Sequence, residues 1–292
     1  MNGGMPDSAE TAGSGKRTEK RKRVGRRLIR TAAAALAVCV FASIAEAGEP
    51  VWPKPSWETE VKDGGLEADV SGIGDGYVAV RFGNPKGRVK IGIAREGEDE
   101  IYFDADPNSE FEAIPLNEGA GGYRLSLYES DGGTTYERTG TVFIKAETDA
   151  SEKAFLAPNA QVKYGRISPP ALFAAKTLSG KSEDEVLRET KAVMRSRFCY
   201  DYAKAAETPK TGVLPDVRGC FESGLGTCGD LAATATALLR SSGVPTKYVE
   251  GTADGIPHAW TEVFIEGEWR LYDPTADITG ADPETYEAER TY

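Results

Sequence analysis

The sequence predicts an α+β protein in which a β-sandwich-like domain precedes a second domain of mixed helices and strands. Three observations predict it. Between residues 65 and 147, short segments of alternating apolar character are separated by glycine-rich turns, and no helical period of comparable length interrupts them. From about residue 168 the period becomes that of amphipathic helices. A strong Ala- and Leu-rich helix is then followed by three strand-like runs, a strands-then-helices order that implies segregated layers. At 292 residues, 40% apolar and 28% charged, the chain has the composition of a folded globular protein with one large domain or two ordinary ones.

Residues 1–47 read as a leader. The basic segment "GKRTEKRKRVGRRLIR" precedes the apolar run "TAAAALAVCVFASI", and small residues stand at Ala45 and Ala47. That is the order of a secretory signal peptide cleaved after Ala47, with an uncleaved membrane anchor as the rival reading. Either places the body of the protein outside the cytoplasm, secreted or on the cell surface. "LAVC" ends on Cys39 but has the bulky Val38 where a lipoprotein processing box needs a small residue, and "GRRLIR" departs from a twin-arginine signal. The leader carries nine Lys or Arg against four Asp or Glu, so a total charge of -11 leaves about -16 for the rest. So acidic a body argues against nucleic acid as a partner.

Residues 48–64 are proline-rich and read as a linker or an extended lead-in strand. Residues 65–150 hold the β domain. "GYVAVRF", "RVKIGIAR", "EIYFDA", "FEAIPL", "YRLSLYES" and "TVFIKAE" have strand chemistry, and six or seven strands at that spacing suit a sandwich. "DADPNSE" resembles a calcium loop only at Asp104, Asp106 and Asn108. Ser109 stands where the loop needs glycine, and Pro115 where it needs the bidentate acid. "GAGGY" lacks the strand-to-helix context of a phosphate cradle.

Residues 151–292 form the second domain. "PPALFAAKTL" and "SEDEVLRETKAVMRSRF" read as helices, the second capped by Ser182 with acids in its first turn. The stretch "YDYAKAAETPKTGVLPDVRGCFESGLG" reads as loop and short turns. "CGDLAATATALLRSSG" is a helix stopped by Gly243 and Pro245, and "KYVEG", "HAWTEVFI" and "EWRLYD" are strands.

The chemistry concentrates in this second half. His258 is the only histidine in the chain, so any imidazole chemistry belongs to it. Cys228 opens the strong helix, where unpaired amides and the dipole favour a thiolate. Gly226 and Gly229 flank it and let a substrate backbone approach. The alternative for Cys228 is a buried structural thiol. A two-residue turn at Glu266-Gly267 would pair Ile265 with Glu268 and set Asp273 diagonally across from His258, on the same face. That geometry holds an imidazole by one nitrogen while the other faces the thiol. A turn one residue longer would put the two side chains on opposite faces. Asp273 taken alone reads as a turn-former in "DPT". Trp260 and Trp269 read as packing on the hairpin, with Trp260 also able to shape a substrate cleft. Asp230 reads as a helix-start residue. With the leader removed, Cys199, Cys220 and Cys228 remain, so at least one thiol stays unpaired within the chain; Cys199 and Cys220 could pair or could both be free. One histidine and three thiols make a structural zinc site improbable, and no metal or cofactor is expected.

"GTCGDLAATATALLRSSGVPTKYVEG" and "HAWTEVFIEGEWRLYDPT", with "YDYAKA" and "LPD" upstream, resemble the transglutaminase-like superfamily in the order Cys, His, Asp. The likeness is specific over about residues 195–277 and is nearest to secreted bacterial members, in which a β domain precedes the catalytic one. The resemblance implies the papain-like cysteine protease fold for residues 151–292. It also implies Cys228 as nucleophile, His258 as base and Asp273 as the group that orients the base. Gly229 departs from the aromatic or hydrophobic residue that many relatives carry after the cysteine, which leaves the wall of the acyl site unassigned. The expected activity is thioester-mediated acyl transfer on peptide or protein amides, crosslinking or hydrolytic, with cell-envelope protein as a possible substrate and contact with membrane only through an uncleaved leader. The alternative from another class is a non-catalytic cell-surface binding module.

Overall fold

The computed structural model describes residues 47–85, 87–147, 149, 152–207 and 213–292. The leader, with Cys39, Ala45 and the cleavage site's upstream half, lies outside the described residues. The alternating runs of the first half become eight strands: β1 (Glu60–Asp63), β2 (Leu66–Asp69), β3 (Tyr77–Phe82), β4 (Val89–Arg95), β5 (Ile101–Ala105), β6 (Glu112–Pro115), β7 (Gly121–Ser130) and β8 (Tyr136–Ala146). They pair antiparallel in two four-stranded sheets, ordered β1-β2-β3-β6 and β5-β4-β7-β8. The period of two turns alternate side chains inward. Leu66, Val78 and Val80 from one sheet and Ile91, Leu125 and Val142 from the other therefore share one buried cluster, the core of a sandwich.

The second half opens with α1 (Pro169–Thr177) and α2 (Glu183–Arg197). Ser182 Oγ accepts the Glu185 N–H at 3.4 Å while the Glu185 carboxylate accepts the Ser182 N–H at 3.1 Å, so the serine and acid seen in the sequence make a full capping box. The stretch expected as loop contains β9 (Cys199–Tyr200), α3 (Tyr202–Glu207), α4 (Val217–Ser223) and β10 (Leu225–Gly226), and β9 and β10 pair in parallel. These pieces are too short to show a helical period. Their ends are fixed by local acceptors such as Asp216 Oδ1, which takes the Gly219 N–H at 2.8 Å.

α5 (Cys228–Arg240) packs on a four-stranded antiparallel sheet of order β13-β12-β11-β14, made from β11 (Thr246–Ala253), β12 (Ile256–Ile265), β13 (Glu268–Tyr272) and β14 (Tyr286–Thr291), with α6 (Pro274–Thr279) between the last two. Leu231, Leu238 and Leu239 of α5 share a buried cluster with Val263 and Ile265 of β12. All α5 residues from Asp230 to Arg240 are buried, which explains why its sequence is apolar on more than one face.

Arg240 ties together three distant parts of the second half. Its guanidinium donates to the main-chain oxygens of Thr246 (2.7 Å), Ala157 (2.6 Å) and Tyr292 (2.7 Å). Burial pushes this arginine down to about 10, and the three carbonyls satisfy its donors in place of water. Phe103 of β5 meets Tyr292 edge-on at 5.1 Å between ring centres, extending the sandwich core to the second sheet.

Candidate active site

The turn at Glu266-Gly267 has two residues, and it sets Ile265 opposite Glu268 and Thr261 opposite Tyr272. This is the register that brings His258 and Asp273 to one face. β13 ends at Tyr272, so Asp273 reaches the histidine as the N-cap of α6 and not from within a strand. Its carboxylate divides its work. Oδ1 accepts the Thr275 and Ala276 N–H groups at 2.8 and 3.0 Å, capping the helix. Oδ2 faces His258 Nε2 at 2.7 Å and accepts the Tyr286 hydroxyl at 3.0 Å. The turn-former reading of "DPT" and the orienting reading therefore describe the same side chain.

Cys228 is the first residue of α5, and its thiol is close enough to the same imidazole to push its pKa up. With Nε2 on the carboxylate, the remaining ring nitrogen is the one available to the thiol. Burial of His258, whose side chain is 14% exposed, favours the neutral ring. The hydrogen bonds to Asp273 and Cys228 and the charges of both outweigh that and push the imidazole up to about 9. Asp273, 3% exposed, is likewise opposed by burial; His258, the Ala276 amide and Tyr286 overcome it and hold the carboxyl below its ordinary value.

The start of α5 is fixed by a buried acid. Asp230 Oδ2 accepts the Thr227 N–H and hydroxyl, both at 2.8 Å, and the Lys204 ammonium at 2.7 Å, while Oδ1 accepts the Asp216 N–H at 2.9 Å. One carboxylate thus ties the cysteine turn to α3 and to the loop before α4. Burial opposes its ionisation, and these donors together keep it below the usual carboxylate range.

Gly229 follows the cysteine, and a Cβ there would stand 3.2 Å from the Tyr248 hydroxyl. Tyr248, only 2% exposed on β11, fills the space that a large residue at 229 would need. Trp260 is 1% exposed and lies stacked behind His258 at 6.4 Å, part of the floor beneath the imidazole. Trp269 packs on the hairpin against Phe264 at 5.1 Å. Tyr286 has no counterpart in the sequence reading. Its ring lies 6.4 Å from His258 and 5.2 Å from Trp260, so β14 closes the side of the site. Its strand, "YEAERT", is charged and nearly all exposed, without the apolar alternation that marks a strand. β14 can approach because Gly251, opposite His258 on β11, has no side chain: a Cβ would stand 2.0 Å from the Glu287 carbonyl.

Cys199 is exposed and Cys220 buried, and both are free thiols. Burial pushes Cys220 up to about 11, which leaves it protonated at neutral pH. Among the described residues, no group of three or more His, Cys, Asp or Glu side chains is arranged to hold a metal ion. No helix there is long and apolar enough to cross a membrane.

Residues 173–274 match the family model described as the transglutaminase-like superfamily. Over 88 residues the chain is 34% identical to an uncharacterized protein of Mycobacterium leprae (strain TN), a stretch that is 24% of this chain and only 31% of that relative. Among solved structures, similarity extends to a candidate cysteine protease of Cytophaga hutchinsonii (19% identity, TM-score 0.36, 66% of this chain and 73% of the other). It extends also to the periplasmic domain of TgpA from Pseudomonas aeruginosa (13% identity, TM-score 0.33, 76% and 95%). A third is red sea bream transglutaminase (14% identity, TM-score 0.28, 68% and 48%).

Proposed function

We propose that this chain, whose residues 173–274 form a transglutaminase-like domain, is an exported thiol acyl-transfer enzyme acting on peptide or protein amides through a thioester on Cys228. The observation that carries the reading is the alignment of a helix-opening thiol, the sole imidazole, and a buried carboxylate 2.7 Å from the far ring nitrogen. Export is supported by the leader-like order of residues 1–47.

In the first half-reaction the Cys228 sulfur, its proton held by His258, attacks the amide carbonyl carbon. The carbonyl π electrons move to oxygen, where the Cys228 main-chain N–H is a donor for the oxyanion. As they return, the C–N bond breaks, and His258 gives its proton to the departing nitrogen. A thioester and a free amine or ammonia result. In the second half-reaction an incoming amine or water attacks the thioester carbon and passes a proton to His258. The S–C bond breaks, and the thiolate and imidazolium are restored. Asp273 stabilises the imidazolium and holds the ring orientation throughout.

The test is mass spectrometry of a peptide library incubated with the protein, with and without a primary amine. Amine-modified products support transfer, and cleaved products without amine incorporation support hydrolysis and reject transfer. Cys228→Ser should abolish both. A folded protein that yields neither product rejects the enzymatic reading and leaves the binding module.

A further inference from the structure

A cavity of about 760 Å³ lies between the sandwich and the chain that leads into α4, within the roughly 300–1,000 Å³ of ligand sites. The sandwich supplies Arg88 ahead of β4, Asp104 in β5, Pro107 just after it and Ser130 at the end of β7, and the facing wall is Val213 and Leu214. Val213 is 49% exposed, and Arg88 and Pro107 are exposed as well, so these side chains are open to a ligand. Beneath them the floor is apolar, made by Val89 and Ala105.

Two separate routes join this cavity to the nucleophile. Along the chain, Leu214 is followed by Pro215, whose Cγ lies 3.9 Å from the position of a Cβ on Gly229, the residue after Cys228. Across the second sheet, that same position is 3.2 Å from the Tyr248 hydroxyl, which donates to Glu250 Oε1 at 3.3 Å. Burial is the main force that pushes the Glu250 carboxyl up, and the Asp104 charge on the cavity wall adds to it, which sets that wall close to Glu250. Asp273, Trp260 and Tyr286, the neighbours of His258, are not part of the lining.

The chemistry of acyl transfer says which part of a substrate belongs here. His258 gives its proton to the departing nitrogen, so the amine side of the scissile bond lies towards His258. The acyl side leaves the carbonyl carbon in another direction, and the cavity adjoins the Gly229 side of the cysteine. We propose that it holds the acyl-side residues of the substrate, as an extended peptide segment with an apolar side chain against Pro107, Val213 and Leu214. This rests on the acyl-transfer reading and gives the sandwich a share in substrate choice. Arg88 Nη2 donates to the Gly133 carbonyl at 3.2 Å and Asp104 is paired with Lys90 at 2.9 Å, so both charges of the lining have partners and an uncharged side chain is the better fit.

The experiment compares p-nitrophenol release by the full chain from two esters. The acyl group of p-nitrophenyl acetate is too small to reach the cavity, whereas p-nitrophenyl N-acetyl-leucyl-leucyl-glycinate extends into it. The tripeptide ester should have the larger kcat/KM. Val213→Asp, at the exposed rim, should lower the ratio of tripeptide to acetate kcat/KM about ten-fold, the scale of one apolar pocket contact, with the change in KM. A second measurement reads binding without turnover. The Cys228→Ser chain titrated with N-acetyl-leucyl-leucyl-glycinamide should show saturable NMR shifts of the Val213 and Leu214 methyl groups. An unchanged ratio in Val213→Asp, no saturable methyl shift, or equal reaction of the N-acetyl-lysyl-lysyl-glycinate ester overturns the proposal while acyl transfer stands. If neither ester acylates Cys228, the acyl-transfer reading falls and the proposal with it.

Discussion

At Asp273, one carboxylate caps a helix with one oxygen and holds the sole imidazole with the other. The second task sets the acid–base behaviour of His258. The single imidazole resonance should titrate near 9 by NMR, well above the value of about 6.5 for a free histidine. Asp273→Asn should drop it below that free value, since burial then acts with only Cys228 against it. Cys228→Ser should lower it by a smaller step. Because the folded value exceeds the unfolded one, this group's contribution to stability is fully present below pH ~6.5 and is lost as pH rises through about 9. Tyr286→Phe removes a donor from Asp273 Oδ2 and makes the carboxylate a stronger acceptor, so His258 should titrate higher while turnover falls; an unchanged titration would mean that the phenol only packs. At this scale Cys228, His258 and Asp273 were legible because a helix start, a lone histidine and a turn length fix their places. Tyr286 was not, since its strand carries charge where alternation would have announced it.

Among the elements, the start of α5 depends on Asp230 more than on helix propensity. Asp230→Ala removes the shared acceptor of the Lys204 ammonium and of the Asp216 and Thr227 N–H groups. Chemical denaturation should record a loss of about 1–3 kcal/mol, with Asp230→Asn costing less. Asp230 is held below its ordinary value, so its contribution is present above pH ~3.9 and lost as pH falls through the folded value. Gly251→Ala should push β14 off β11 and perturb the Tyr286 resonances while leaving the sandwich intact, as hydrogen exchange would show. The long helices and the β12–β13 hairpin could be read from period and turn chemistry. α3 and α4 could not, because tertiary acceptors such as Asp230 and short caps such as Asp216 decide them.

For the molecule as a whole, the order of a β half followed by an α+β half was plain in the sequence, whereas a buried link across the second half was hidden. It joins Ala157, Arg240, Thr246 and Tyr292, residues far apart in the chain, through a buried guanidinium whose role no local pattern reveals. Arg240→Met removes the donors to the buried Ala157 and Thr246 carbonyls, while the Tyr292 oxygen keeps the Tyr248 N–H, and should cost about 1–3 kcal/mol. With one core cluster running from Leu66 to Tyr292, Trp52 in the first half and Trp260 in the second should report a single unfolding transition. Separate midpoints would show that the halves fold independently. The central claim concerns covalent chemistry at Cys228, and its most direct test is acid-quenched peptide mapping of the protein mixed with a peptide library. The account predicts an acyl adduct on Cys228 alone, absent from Cys199 and Cys220 and lost in His258→Ala. Product formation that survives Cys228→Ser, or a folded protein that never carries the adduct and forms no product, would contradict it.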